Sequence, residues 1–235
     1  MQTKSEFILP PLTNWHQKKF LGYAAQVLGA QQKMIDENGG NILHYTLKKN
    51  LRHERMSHYP KGDRIDHTTG AQYFYHCHRE DFESAEHGHF HCFLRYKHIP
   101  KHIKPAPLSD WNRYIDNPMT HLIAIGMNQF GLPIRLFTVN RWVTSEIWYA
   151  AKHAPNLINR YKMTLNDDPY WQTLDSWVEG MLHLFMPQIN WLHFERDKIM
   201  QHYLNYSENP YIDYEIEELS AINIDLKKQI EWILG

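Results

Sequence analysis

Cysteine is almost missing from this chain, with only Cys77 and Cys92 in 235 residues. Two thiols cannot build the disulfide framework that holds small secreted domains together, so stability has to come from a hydrophobic core. At 43% hydrophobic residues that core is affordable. No apolar run approaches the roughly 18 to 20 residues of a membrane span, and the start MQTKSEFILPPL lacks the charged and apolar regions of a secretory leader. The expectation is a cytoplasmic protein with no membrane partner. An excess of charge is missing too: 25 basic and 26 acidic residues give a net charge of −1. That leaves no global electrostatic footprint for nucleic acid, and none is expected as a partner. No internal repeat, low-complexity tract or flexible linker divides the chain, which predicts one domain over residues 1–235.

The hydrophobic pattern then sorts the chain into elements. After Pro10-Pro11, Thr13 or Asn14 can cap a helix running to Glu37, with Phe20, Ala24, Val27 and Leu28 on one face and Asn38-Gly39-Gly40 ending it. Residues 42–56 are mixed in period, with helix expected at their end, and 58–63 reads as a turn-rich connection. Strand-like runs rich in aromatic and β-branched residues follow at 71–79, 87–95, 121–127 and 132–140, the last two joined by a short loop containing Gly131. The insertion at 96–119 carries the basic loop KHIPKHIKPAP, with Lys97, His98, Lys101, His102 and Lys104, and then a short helix at 109–115. Helical spacing returns over 146–161, 168–185 and 188–206, where Trp171, Trp177, Trp191 and Phe194 read as core. An edge strand at 215–224 and a helix at 225–234 close the chain. The predicted class is α+β, an antiparallel meander of four to five strands flanked by N- and C-terminal helices.

Histidine is what the chain has in quantity. Residues 76–91 read HCHREDFESAEHGHFH, a His-x-His pair followed by a His-x-His-x-His run. Residues two apart on a strand point to the same face, so each segment projects a row of imidazoles, and a hairpin at 71–95 would set the rows facing each other. Neutral imidazole is the commonest side-chain ligand for transition metals. The candidate metal ligands are therefore His76, His78, His89 and His91, with His121 as a fifth from the next strand. His87, beside the turn, is either a supporting residue or exposed. Cys77 and Cys92 alternate to the opposite face and read as reduced core residues.

An all-nitrogen donor set suits one ion of Fe, Cu, Zn or Ni better than Mg or Ca, which prefer oxygen. Glu86, which abuts the histidine run, is a candidate catalytic or ligating carboxylate, whereas Glu83 reads as part of a solvated loop. Arg141, at the end of the fourth strand, is a candidate for orienting a small-molecule substrate through its carboxylate or phosphate or, equally, for stacking on Trp142 or pairing with Glu146 as a structural residue. Asp63 and Asp66 are candidates for fixing imidazole tautomers or, equally, for forming turns. The functional expectation is a metalloenzyme with redox or hydrolytic chemistry.

Resemblances add two alternatives. The spacing His76-x-His78-x4-Glu83 fits the first half of the cupin metal motif, but the second half is absent. Residues 87–93, HGHFHCF, resemble the histidine-triad pattern of nucleotide hydrolases and transferases. That likeness implies His89 as a nucleophile supported by His87 and His91, with no metal; Gly88 stands where that pattern has an apolar residue. A non-enzymatic metal- or haem-binding protein is a further reading, with one histidine as axial ligand and Tyr73, Phe74 and Tyr75 near the porphyrin. Finally, the motifs HYPKGD, GAQYFYHCHR, EHGHFHCF and LFTVNRWVT, in that order, resemble a bacterial family known only as a domain of unknown function. The resemblance spans most of the chain and implies no activity.

Overall fold

Strands of alternating character dominate the middle of the chain, and they pair in the order in which they are made. A computed structural model describes residues 6–38, 40–48, 52–78, 85–108 and 118–235. In it β1 (Tyr59–Ile65), β2 (Ala71–Cys77), β3 (Gly88–Arg95), β4 (Met119–Met127), β5 (Pro133–Val139) and β6 (Glu218–Asn223) form one sheet in the order β1-β2-β3-β4-β5-β6. Every pairing is antiparallel. The helices are α1 (Asn14–Asn38), α2 (Ile42–Leu47), α3 (Arg141–Thr144), α4 (Ala154–Ile158), α5 (Pro169–Leu184), α6 (Met186–Tyr203) and α7 (Leu226–Leu234). This is the expected α+β meander with more strands than expected.

The extra strand is β1, in the segment that reads as a turn. Pro60 is tolerated because β1 lies at the sheet edge, where one side of the backbone needs no partner. Gly62 and Asp63 both have positive φ, and they fall where the β1–β2 register shifts between Tyr59 and Arg64, so the turn chemistry is absorbed as a bulge. Other boundaries differ for local reasons. Asn41 caps α2 at the start of the 42–56 stretch, not at its end. Only Ala154–Ile158 of the 146–161 segment is α-helical, after a 3-10 turn at Ala151–His153. Ile147, Trp148 and Tyr149 ahead of it are buried in non-helical backbone, so burial overrides a helix-like spacing. Pro187 stands in the first turn of α6, where its missing N–H costs nothing. The helix expected at 109–115, the end of the strand expected at 71–79 and Glu83 lie outside the described residues.

The two faces of the sheet have different partners. On one face Tyr73, Tyr75, Phe90, Cys92, Leu94, Ile123 and Ile125 join the main core with residues of α1, α5 and α6. Trp177 of α5 is fully buried there, its ring 5.6 Å from Phe90. Arg64 of β1 ties the edge strand to α5 by donating to both carboxylate oxygens of Asp175, from Nε to Oδ1 and from Nη2 to Oδ2. Tyr73 donates to the same carboxylate at 2.8 Å. Cys77 and Cys92 are both buried and not joined in a disulfide. Two apolar residues expected to be buried are not: Phe194 is 49% exposed and Leu28 44%. The other face of the sheet, at β2, β3 and β5, lines an open cleft, and there the histidines lie.

Candidate metal centre

The hairpin register brings the two histidine rows together. His76 of β2 is paired with His89 of β3, and Phe74 with His91. His89 Nε2 lies 2.8 Å from His76 Nε2, 3.1 Å from His91 Nε2 and 3.3 Å from His78 Nε2. One nitrogen from each of His76, His89 and His91 lies within 4.8 Å of the other two, and all three side chains are buried. Nitrogens bound to one tetrahedral ion at 2.0–2.1 Å sit roughly 3.3 Å apart. The spacing is therefore close to that of a ligand set.

His121 arrives by a route that alternation does not give. It shares its parity with Ile123 and Ile125, which face the core. The β3–β4 register slips between Cys92 and Phe93, however, so that Cys92 pairs with Ile123 while Phe93 pairs with His121. Leu122 is the extra residue of this bulge, and His121 is turned to the histidine face. There its Nε2 lies 3.0 Å from His91 Nδ1. His121 thus approaches the far side of the His91 ring and does not join the converging nitrogens.

Proton positions follow from the partners. Glu86 Oε1 lies 2.7 Å from His89 Nδ1, so Nδ1 carries the proton and Nε2 presents a lone pair. The His121 ring gives its proton to the Ile123 backbone, which leaves its Nε2 to accept from His91 Nδ1. His91 Nε2 is then also a bare lone pair. Two lone pairs thus face each other at 3.1 Å; an N–H of His76 or His78 can satisfy that of His89, whereas one cation between the rings would satisfy both at once. Nδ1 of His76 is buried without a hydrogen-bond partner, among the rings of Phe74 and His58.

Burial keeps these rings neutral. Desolvation, then the neighbouring His89, His78 and His58, pushes His76 down to about 2. Desolvation, His78 and Arg135 lower His89 to about 3, and His91, enclosed by histidines, lies well below its ordinary value. Glu86 is raised by burial, and Arg135 and His78 oppose the rise. Arg135 Nε lies 3.2 Å from Glu86 Oε2, and the guanidinium also pairs with Glu218 and covers Phe137. Two glycines leave room for this corner. A Cβ on Gly126 would lie 2.7 Å from Glu86 Oε2, and one on Gly88 2.3 Å from the His76 carbonyl, which accounts for the glycine inside the histidine run.

His76, His78, His89 and His91 line a cleft of about 680 Å³ with Phe74, Phe93, Phe137 and Trp142. His78, Glu86 and His89 also border a smaller space of about 390 Å³. Arg141 is placed elsewhere: it is fully buried, and its Nε donates to the Glu146 carbonyl at 3.0 Å. Asp66 accepts from the backbone N–H groups of Thr68 and Thr69, so it forms a turn, while Asp63 Oδ1 pairs with His58 Nδ1 at 2.7 Å. His87 turns away to meet the Tyr75 hydroxyl at 2.6 Å. The basic loop is pinned by Ile99 and Ile103, both buried. His58 is the residue that sequence reasoning passed over; its place in a turn-like HYPKGD gave no strand phase to read.

No helix among the described residues is long and apolar enough to cross a membrane. No curated protein and no solved structure matches the chain. A family model does match it, over residues 22–224, and the chain belongs to that family, the domain of unknown function DUF6969.

Proposed function

We propose that this protein is a metalloenzyme holding one transition-metal ion, with His76, His89 and His91 as the central ligands and His78 as the fourth. The observation that carries the reading is the convergence of His76, His89 and His91 ring nitrogens within 4.8 Å of one another, with the outer nitrogens of His89 and His91 in contact with Glu86 and His121. Fixing a ligand's tautomer through its outer nitrogen is how metal-binding histidines are commonly oriented. Imidazole donors favour Fe, Cu, Ni or Zn, any of which supplies Lewis-acid or redox chemistry. The cleft supports an enzyme over a storage or structural site provided that His78 yields its place or the ion takes a fifth ligand, because a catalytic metal keeps a position open to substrate whereas a structural one is closed. Glu86 would hold the His89 proton and, on the edge of the smaller space, could exchange protons with a bound molecule.

The alternatives have less support. A nucleophilic His89 needs Nε2 open toward a phosphorus atom, and that nitrogen is hemmed in by three other imidazole nitrogens. A haem iron takes axial ligands on either side of a porphyrin plane, and nitrogens this close leave no room for the ring between them.

The test is elemental analysis of protein purified without an affinity tag, beside the His76→Ala/His91→Ala double variant. Native protein should carry or take up one equivalent of transition metal that the variant does not hold. Uptake below about a tenth of an equivalent from micromolar Zn, Co, Cu or Fe would overturn the reading.

A further inference from the structure

Along the cleft the side chains change character in register with the strands. His76 pairs with His89, Phe74 with His91 and Gln72 with Phe93, and Arg95 follows two residues later on the same face. Four residues of strand separate His91 from Arg95, about 13 Å at the usual rise. Imidazoles hold one end, aromatic rings the middle and a guanidinium the other end, and all of them line the one cleft. The aromatic wall is ordered: the rings of Phe74 and Phe93 stack with centroids 5.7 Å apart, and His58 stacks on Phe74 at 3.7 Å. Phe137, Val139 and Trp142 line the same space.

Arg95 is held in place. Its Nη1 donates to Gln72 Oε1 at 2.7 Å, and Gln72 Nε2 donates to Asp63 Oδ2 at 2.7 Å. Asp63 is in turn fixed by His58. Among the described residues no carboxylate pairs with Arg95, and its half-buried guanidinium is positioned by the neutral amide of Gln72. A guanidinium so placed matches a carboxylate.

We propose that the cleft binds an elongated small molecule with an aromatic or apolar body and a terminal carboxylate, the carboxylate on Arg95 and the far end against the histidine cluster. Which end reacts rests on the metal-centre reading; the binding itself does not.

Metal-free protein separates the two, because no ion is then present to recognise the carboxylate. The probes are 6-phenylhexanoate, which is long enough to span the strand interval, and its neutral amide, followed by calorimetric titration. The acid should bind at least about tenfold more tightly than the amide. Arg95→Gln should abolish that preference while leaving amide binding in place, and His76→Ala/His91→Ala should leave the preference intact. Equal affinity for acid and amide, no binding of the acid, or an acid preference that survives Arg95→Gln would overturn the proposal. Metal uptake with no acid preference would sink this inference alone, and acid preference without metal uptake would sink the metal centre alone.

Discussion

His121 Nε2 lies 3.0 Å from His91 Nδ1, although the two residues would face opposite sides of the sheet if β3 and β4 paired without interruption. One extra residue, Leu122, reverses the phase of β4 and creates the contact. The bulge thereby sets the protonation of a ring on the neighbouring strand: by accepting from Nδ1, His121 leaves His91 Nε2 bare on the side where three other imidazoles converge.

His121→Phe keeps the bulk and removes the acceptor. Losing an outer partner of a metal-ligating histidine typically weakens binding by about 10- to 100-fold, and that loss is expected here with the stoichiometry unchanged. Competition against a chromophoric chelator measures it. An unaltered affinity would show that the contact does not orient His91.

Glu86 holds the opposite ring, His89, and it can be displaced without being mutated. A Cβ at position 126 would lie 2.6 Å from Arg135 Cγ and 2.7 Å from Glu86 Oε2. Gly126→Ala should therefore reproduce Glu86→Gln, each lowering metal affinity by about tenfold while the fold is kept. If the alanine variant binds metal as the native protein does, Glu86 reaches His89 by some other path or is not needed.

The histidine rows were legible because a strand has period two and the hairpin joins neighbouring segments. His76, His78, His89 and His91 needed nothing more than alternation to be placed on one face, and the same rule sent Cys77 and Cys92 to the other. His121 could not be placed that way, since a bulge has no composition of its own in the Leu122 environment. β1 was hidden for a similar reason, with Gly62 and Asp63 looking like a turn when they are a bulge in an edge strand. Arg141 illustrates the remaining limit. Its position at a strand end suggested a pocket, but the chain turns there into α3 and carries the guanidinium inward to the Glu146 carbonyl.

The Arg64–Asp175 pair provides a control on the opposite face. Both side chains are buried, and Asp175 also accepts from Tyr73. Asp175→Ala leaves a buried guanidinium with Asp167 alone, which should cost about 3 kcal/mol, the low end for breaking a buried pair because Asp167 remains. Urea unfolding measures the loss, and metal affinity should not change. A change in affinity larger than the loss of folded protein would mean that the two faces of the sheet are coupled.

Acid should unfold the metal-free protein through histidines that never bind metal as well as those that would. Burial, then His87 and His44, lowers His53 to about 3, and burial with Arg196 nearby holds His193 well below its ordinary value. His193 is neutral, with Nε2 donating to the Leu122 carbonyl at 2.7 Å. A base whose folded pKa is depressed contributes stability that is fully present above its unfolded value of 6.5 and is lost as pH falls toward the folded value, because only the unfolded chain takes up the proton. Each such group removes about 1.4 kcal/mol per pH unit below 6.5. Stability from urea titrations should therefore be flat from pH 8 to 7 and fall steeply from pH 6 to 5. His53→Gln should lessen the slope by about one proton. A slope that the substitution leaves unchanged would mean that His53 is protonated in the folded protein, and that burial at this position does not exclude the charge.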